Sequence, residues 1–241
     1  GNVGALRKLR SIPDPVDSLE VKKLLVNELR RVEPPIWETL RCLAVARRGL
    51  TPELFQRLMT DPSWTLKRCR RELDRLRSAA FVKAREGSDA LFLHDALYEM
   101  LDELRPFPLM DPGRLLPIII KYYEEEANAA AEDVKDVQEE LRQLDLRVRA
   151  RVVDEEDVEA QRQGLTEELT ERERMWHRLR VELVFYKLWY DPLGGFEFYA
   201  RMYNSALKGH EFGFEARLHD EILRYTKSPL YAKDEKAQKR L

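Results

Sequence analysis

The 241-residue chain has few of the residues from which catalytic and metal sites are usually built. It contains two cysteines, Cys42 and Cys69, without a CxxC spacing, and four histidines that lie far apart. No His-x-x-x-His pattern occurs, and no Gly-rich loop leads into a Lys-Ser or Lys-Thr pair. The absence of a His-x-x-x-His pattern speaks against a metal site. The absence of the Gly-rich loop with its Lys-Ser or Lys-Thr pair speaks against a phosphate loop within this chain. We therefore expect that the chain is not itself an enzyme and binds neither a metal nor a cofactor alone.

Long apolar runs are missing as well. The longest, "LLPIII" at residues 115–120, is far shorter than the ~20 residues that span a bilayer. The two cysteines do not form the dense framework of a secreted domain. We therefore expect a cytoplasmic protein in which Cys42 and Cys69 are buried and reduced.

Charge is plentiful instead. Charged residues make up 36% of the chain, against ~25% in an average domain, and the mean hydropathy is -0.54. This composition predicts much exposed helix surface. Because the net charge is only -2, the chain as a whole is not an obvious binder of polyanions.

Apolar spacing divides the chain into four segments. Residues 1–33 are expected to form a helical leader or linker that Pro34 and Pro35 end. Over 34–108, three helical patterns precede "FVKAR" and "ALFL", which flank "EGSD" and predict a hairpin around Gly87. A fourth helix follows, and Asp95 is expected to cap it. Three helices, a hairpin and a closing helix are the order of a winged-helix domain, with the hairpin as its wing.

The second half of the chain predicts longer helices. Residues 109–190 are rich in strong helix formers with apolar seams, and they predict two long helices packed antiparallel as an arm. An aromatic-rich pair of shorter helices is predicted over 191–241. The expected fold is thus mainly α: a winged-helix domain, a long antiparallel helical arm and a small helical bundle.

Basic residues gather on the third predicted helix and on the wing, the two elements with which winged helices contact DNA. Candidates for nucleic-acid contact are Lys67, Arg68, Arg71, Arg75, Lys83 and Arg85. Against this interpretation, Trp64 at the start of the helix is better suited to anchor it than to read bases. A solvated or protein-facing surface is the alternative.

The remaining candidate site is Leu93-His94-Asp95, at the junction between the wing and the fourth helix. No nucleophile, metal pattern or phosphate loop accompanies it. One interpretation is structural, with His94 packed beneath the wing. The other is that His94 acts on a group supplied by another domain.

The stretch "LRCLAVARRGLTPELFQRLM" together with "RCRRELDRLRSAAFVKAREGSDALFLHDALYEML" resembles the winged-helix domain of STAND signal-transduction NTPases, the group of NB-ARC and NACHT proteins. A Met-His-Asp-like motif, often Leu-His-Asp, closes that domain in the family. Leu93, His94 and Asp95 stand at its position. The resemblance implies that His94 reaches the β-phosphate of ADP bound in a neighbouring NTPase domain and helps to hold the inactive state.

A second stretch, "RLRVELVFYKLWYDPLGGFEFYARMYNSAL", resembles the helical connector that precedes tetratricopeptide repeats in bacterial members. Lys187 stands where the family commonly has a histidine. The two resemblances imply a regulatory, autoinhibitory segment between an NTPase domain and a sensor domain, with ADP or ATP in the intact parent and a homo-oligomer on activation. Two alternatives remain open: a DNA-binding transcription regulator, and a helical scaffold for protein partners.

Overall fold

The computed structural model describes residues 34–79, 81–84, 88–95, 97–98, 112–150 and 155–228. Within them the protein is mainly helical, with one small antiparallel sheet of two strands. The chain divides into two compact units, Gly1–Ile119 and Ile120–Leu241. The predicted leader over 1–33 and the predicted boundary at 108 lie outside the described residues. In the described part of the chain, no helix combines the length and the apolarity needed to cross a membrane.

Three helices form the core of the first unit: α1 (Pro34–Val45), α2 (Pro52–Leu58) and α3 (Leu66–Arg77). Their inward faces follow the predicted spacing, and the fully or nearly fully buried side chains include Leu40, Leu43, Ala44, Leu54, Phe55, Leu58, Cys69, Leu73 and Leu76. Cys42 is buried too, and both cysteines are free thiols, as predicted. Met59 follows the end of α2 and is only half-buried.

Side-chain caps start α2 and α3. The Thr51 hydroxyl accepts a hydrogen bond from the Leu54 amide at 3.1 Å, and Pro52 occupies the first helical position. Both residues favour the start of a helix, because the threonine hydroxyl satisfies a free amide and proline has no amide hydrogen to leave unpaired. Thr65 caps α3 in the same way through the Arg68 amide. Just before α3, Trp64 is 6% exposed and packs on Phe55 at 5.0 Å between ring centroids, which confirms its role as an anchor.

The predicted hairpin is formed by β1 (Val82–Ala84) and β2 (Leu91–Leu93), with Val82 opposite Leu93. Its tip, which includes Arg85 and Gly87, lies outside the described residues. On its other edge β2 pairs with Leu50, which exchanges two backbone hydrogen bonds with Leu91 at 2.9 and 3.2 Å. The sheet is thereby tied to the turn between α1 and α2.

Gly49 makes that turn. Its φ of 120° lies in a region that residues with a side chain rarely adopt, and a Cβ there would lie 2.9 Å from the Cβ of Ala90. The turn "RRGLT" therefore requires glycine both for its backbone conformation and for the close approach of β2.

Two long helices, α4 (Pro112–Arg149) and α5 (Glu155–Tyr190), dominate the second unit, although α4 begins before Ile120. Three contacts join them: Tyr123 stacks on Tyr186 at 5.1 Å, Asp133 binds Arg172 at 3.0 Å, and Asp145 binds Arg162 at 2.6 Å. Along these contacts the residue numbers rise on α4 while they fall on α5. The helices are therefore antiparallel. The predicted seam residues Val134, Val137 and Leu144 are buried, and Leu141 is half-buried.

Helices α6 (Pro192–Lys208) and α7 (Phe212–Thr226) pack with the end of α5. Their shared core consists of Val184, Leu188, Met202, Ala206, Phe214, Leu218, Ile222 and Tyr225. The aromatic residues of this region do not all belong to the core: Phe214 is 1% exposed, whereas Tyr190 and Phe212 are 51% and 66% exposed.

Candidate functional site

His94 lies where β2 passes directly into a helical turn. Its amide donates to the Phe81 carbonyl at 3.0 Å, which extends the ladder of the hairpin by one residue. Its carbonyl accepts from the amides of Leu97 and Tyr98 at 2.8 and 3.3 Å, which are the first bonds of the turn. Both backbone groups of His94 are thus fixed, while its side chain is exposed. The structural interpretation, in which His94 packs beneath the wing, is wrong.

Asp95 was expected to cap the helix that follows. The cap position is the residue whose carbonyl accepts the first helical bond, and that residue is His94. Asp95 is the first helical residue, and its Oδ2 instead accepts from Lys83 Nζ at 2.9 Å. The pair is exposed, and it links β1 to the start of the turn. Leu93, in contrast, is 3% exposed and anchors the motif in the core.

Tyr98 holds this junction, and the sequence reasoning missed it. Its hydroxyl accepts from the Leu93 amide at 3.1 Å and donates to the Leu43 carbonyl, in the last turn of α1, at 3.3 Å. The Arg47 guanidinium lies 5.2 Å from the centre of the ring. Burial raises the pKa of Tyr98 to about 12, so the hydroxyl keeps its proton and its donor role at neutral pH. Only the spacing "HDALY", which places a hydroxyl one turn after His94, could have indicated it.

Four of the six residues proposed for nucleic-acid contact have partners within the chain: Arg68, Arg71, Arg75 and Lys83. Glu72 lies on the basic helix α3, yet it is only 4% exposed. Its carboxylate forms ion pairs with the guanidinium groups of Arg75 at 3.0 Å and Arg71 at 3.5 Å. Arg68 lies over the Trp64 ring at 4.1 Å and donates to the Ser63 hydroxyl.

Among the remaining candidates for nucleic-acid contact, Lys83 binds Asp95, Lys67 is exposed, and Arg85 lies outside the described residues. Arg71 and Arg75 lie beside a buried carboxylate, and Arg68 covers a buried tryptophan. These arginines therefore have structural roles, which make the basic face less suited to binding phosphate groups.

A second cluster of titratable groups lies in the other unit, around His177 of α5. The imidazole stacks on Phe214 at 4.2 Å with an angle of 7° between the rings. Its Nε2 lies 3.0 Å from Glu211 Oε2, although the angles do not meet those of a hydrogen bond. Burial, and then the charges of Arg217 and Arg180, lower the pKa of His177 to about 4. A half-buried neutral imidazole inside an aromatic stack is a packing element.

Lys187, which stands where the resembled connector commonly has a histidine, joins three helices. Its Nζ donates to Glu124 of α4 at 2.6 Å and lies 4.9 Å from the centre of the Phe198 ring on α6. The ion pair between Lys187 and Glu124 thus links the two long helices of the arm.

Within the described ranges, no group of three or more His, Cys, Asp or Glu side chains could hold a metal ion. Leu93, His94 and Asp95, with Lys83 and Tyr98 around them, form a hydrogen-bonded junction that leaves the His94 side chain exposed. Comparison with known proteins adds no relative: neither a family model, nor a curated protein, nor a solved structure matches this chain.

Proposed function

We propose that this chain is the regulatory, autoinhibitory segment of a STAND-type NTPase and that His94 is its nucleotide-sensing residue. In this proposal the first unit is a winged-helix domain. The order of the elements along the chain supports that assignment: α1, the Leu50 bridge, α2, α3, β1 and β2. Leu50 pairs with β2 and thereby adds a short third segment to the two strands of the wing. The chain contributes no catalysis of its own, and the ADP or ATP belongs to the parent's NTPase domain.

The observation that carries the proposal is the state of His94. Its backbone is bonded at both the amide and the carbonyl, yet its imidazole is exposed. A histidine can donate a charge-assisted hydrogen bond to a phosphate. A fixed backbone limits the entropy that such a contact would cost. This is the arrangement expected of half a site whose other half is another domain.

A contact made only in the closed, ADP-bound state shifts the equilibrium between closed and open states by its differential binding energy. A hydrogen bond to a charged group contributes about 1.5–3 kcal/mol, which corresponds to a ten- to a hundredfold shift. The proposed relay follows: a ligand at the sensor domain reorients the arm and the winged helix, His94 leaves the ADP, and exchange permits oligomerisation.

The test is His94→Ala in the full-length protein, with release of fluorescently labelled ADP and basal activation as readouts. We expect ADP release to accelerate ten- to a hundredfold and basal activation to rise. His219→Ala, which removes an exposed histidine of α7, is the control and leaves both unchanged. Unchanged ADP release in the His94 variant would exclude the sensor role.

A further inference from the structure

The amide of Leu93 lies on the edge of β2 that faces Leu50. Two residues earlier on the same edge, Leu91 exchanges both of its backbone bonds with Leu50. A continuing strand would supply a partner for Leu93 at the next position. The chain turns away at Gly49 instead, whose amide bonds to the Ala46 carbonyl at 3.0 Å. Without a substitute, a buried backbone donor next to His94 would be left without a partner.

The carbonyl of Leu43 presents the matching problem at the end of α1. In a continuous helix it would accept from the amide of Arg47, but that amide bonds to Val45 at 2.8 Å. Leu43 is fully buried as well. One hydroxyl with a donor and an acceptor function can satisfy both groups, and the Tyr98 hydroxyl does so.

Tyr98 also reaches His94 directly, because its amide donates to the His94 carbonyl. One residue therefore bonds the strand end before His94, the carbonyl of His94 and the end of α1. The Tyr98 hydroxyl closes a connection across 55 residues of sequence.

We propose that Tyr98 is the positioning residue of His94: its hydroxyl fixes the backbone from which the exposed imidazole projects. The inference rests on the proposed function. It assigns the rigidity of the backbone at His94 to one side chain outside the Leu-His-Asp motif. The end of α1 then helps to hold His94 in place through its hydrogen bond with Tyr98.

The experiment is a double-mutant cycle with Tyr98→Phe and His94→Ala in the full-length protein, measured by release of fluorescently labelled ADP. Phenylalanine keeps the ring and removes only the hydroxyl. We expect Tyr98→Phe to accelerate release about tenfold, because both hydrogen bonds of the hydroxyl are lost and the backbone at His94 is held less firmly. In the His94→Ala background the same change should add less than about twofold, because it acts through a side chain that is gone.

Thr51→Ala is the matched control, since it removes one hydrogen bond from the same unit away from the junction. It should leave ADP release unchanged. Equal effects of Tyr98→Phe in both backgrounds, or an equal effect of Thr51→Ala, would show a merely structural role and overturn the inference while the sensor role stands. If His94→Ala itself does not alter release, the proposed function fails, and the inference fails with it.

Hydrogen exchange keeps the inference testable at the level of the fold. Tyr98→Phe should speed exchange of the Leu93 and His94 amides at least about tenfold, while amides inside α3 keep their rates. Uniformly faster exchange across the unit would indicate global destabilisation and contradict a local positioning role. A second variant, with 4-aminophenylalanine at position 98, restores a hydrogen-bond donor toward the Leu43 carbonyl. It should return ADP release toward the wild-type rate, and no return would overturn the inference.

Discussion

Gly195 of α6 lies against the backbone of Leu188 of α5. A Cβ at Gly195 would be 2.6 Å from the Leu188 nitrogen and 2.7 Å from its Cα, distances that side-chain movement cannot relieve. The two helices are joined through Asp191 alone, and Pro192 is the first residue of α6. The close approach of the backbones is what allows so short a turn.

Gly195→Ala should therefore destabilise the second unit by at least about 2–3 kcal/mol, because backbone must move to admit the methyl group. Urea unfolding monitored by circular dichroism measures the change. Gly164→Ala is the matched control: Gly164 lies within α5, and a Cβ there meets nothing within 4 Å. That variant should gain about 0.5–1 kcal/mol from helix propensity. A loss of stability at Gly164, or none at Gly195, would contradict this packing.

The pH dependence of stability should contain a contribution from His177. The pKa of His177 is lowered to about 4 in the folded state, whereas the pKa of a histidine in the unfolded chain is about 6.5. As the pH falls, the unfolded chain therefore binds the proton before the folded chain does. The stability that goes with the neutral imidazole is therefore fully present above pH 6.5 and is lost as the pH falls toward 4. The loss is at most about 3 kcal/mol, because the imidazole is only half-buried and solvent screens part of the interaction.

His177→Gln, which cannot titrate, should flatten the stability profile between pH 6.5 and 4 relative to the wild type. Urea unfolding at a series of pH values is the measurement. His219→Gln, at an exposed site on α7, should leave the profile as it is. An unchanged slope in the His177 variant would show that the imidazole is not held neutral by its surroundings.

The chain should not bind duplex DNA appreciably, even at low salt. Arg71 and Arg75 share the carboxylate of Glu72, Arg70 and Arg77 lie 3.7 Å from Glu53 and Asp74, and Lys83 pairs with Asp95. Most cations on this face thus already have a carboxylate beside them, which weakens their attraction for phosphates. Fluorescence anisotropy with a labelled duplex at about 50 mM salt is a sensitive test. Binding that weakens steeply with added salt, and that Lys67→Glu reduces, would favour the transcription-regulator alternative.

The arm should not act as a dimerisation scaffold. Val134, Val137 and Leu144, which form the predicted seam of α4, are at most 6% exposed within the single chain. A coiled coil between two chains needs such a seam to be available. Sedimentation velocity should therefore give a monomer over the micromolar range. A concentration-dependent dimer that Val137→Lys abolishes would support the scaffold alternative.

Local patterns explain why much of this architecture could be predicted. The cap at Thr51, the strands of the hairpin and the apolar faces of α1 to α3 follow from residue types at fixed spacing. The long antiparallel helices follow from seams such as the one through Val137. In each case a few neighbouring residues decide the outcome, because caps, turns and amphipathic periods are properties of short segments.

The parts that escaped prediction depend on contacts between distant residues. The Leu50 bridge to β2 and the Tyr98 bond to α1 join segments dozens of residues apart, and neither has a local signature. Glu72 lies within a run of charged residues on α3, yet its side chain is buried. Asp95 is a good capping residue, but the register of the hairpin makes His94 the last residue before the turn, and register decided the cap.

The sensor role of His94 is tested most directly by the rate at which labelled ADP leaves the full-length protein, compared between wild type and His94→Ala. We expect release to be ten- to a hundredfold faster in the variant, with His219→Ala at the wild-type rate. Equal rates for wild type and His94→Ala would contradict it, and the junction of Leu93, His94 and Asp95 would then be a structural feature only.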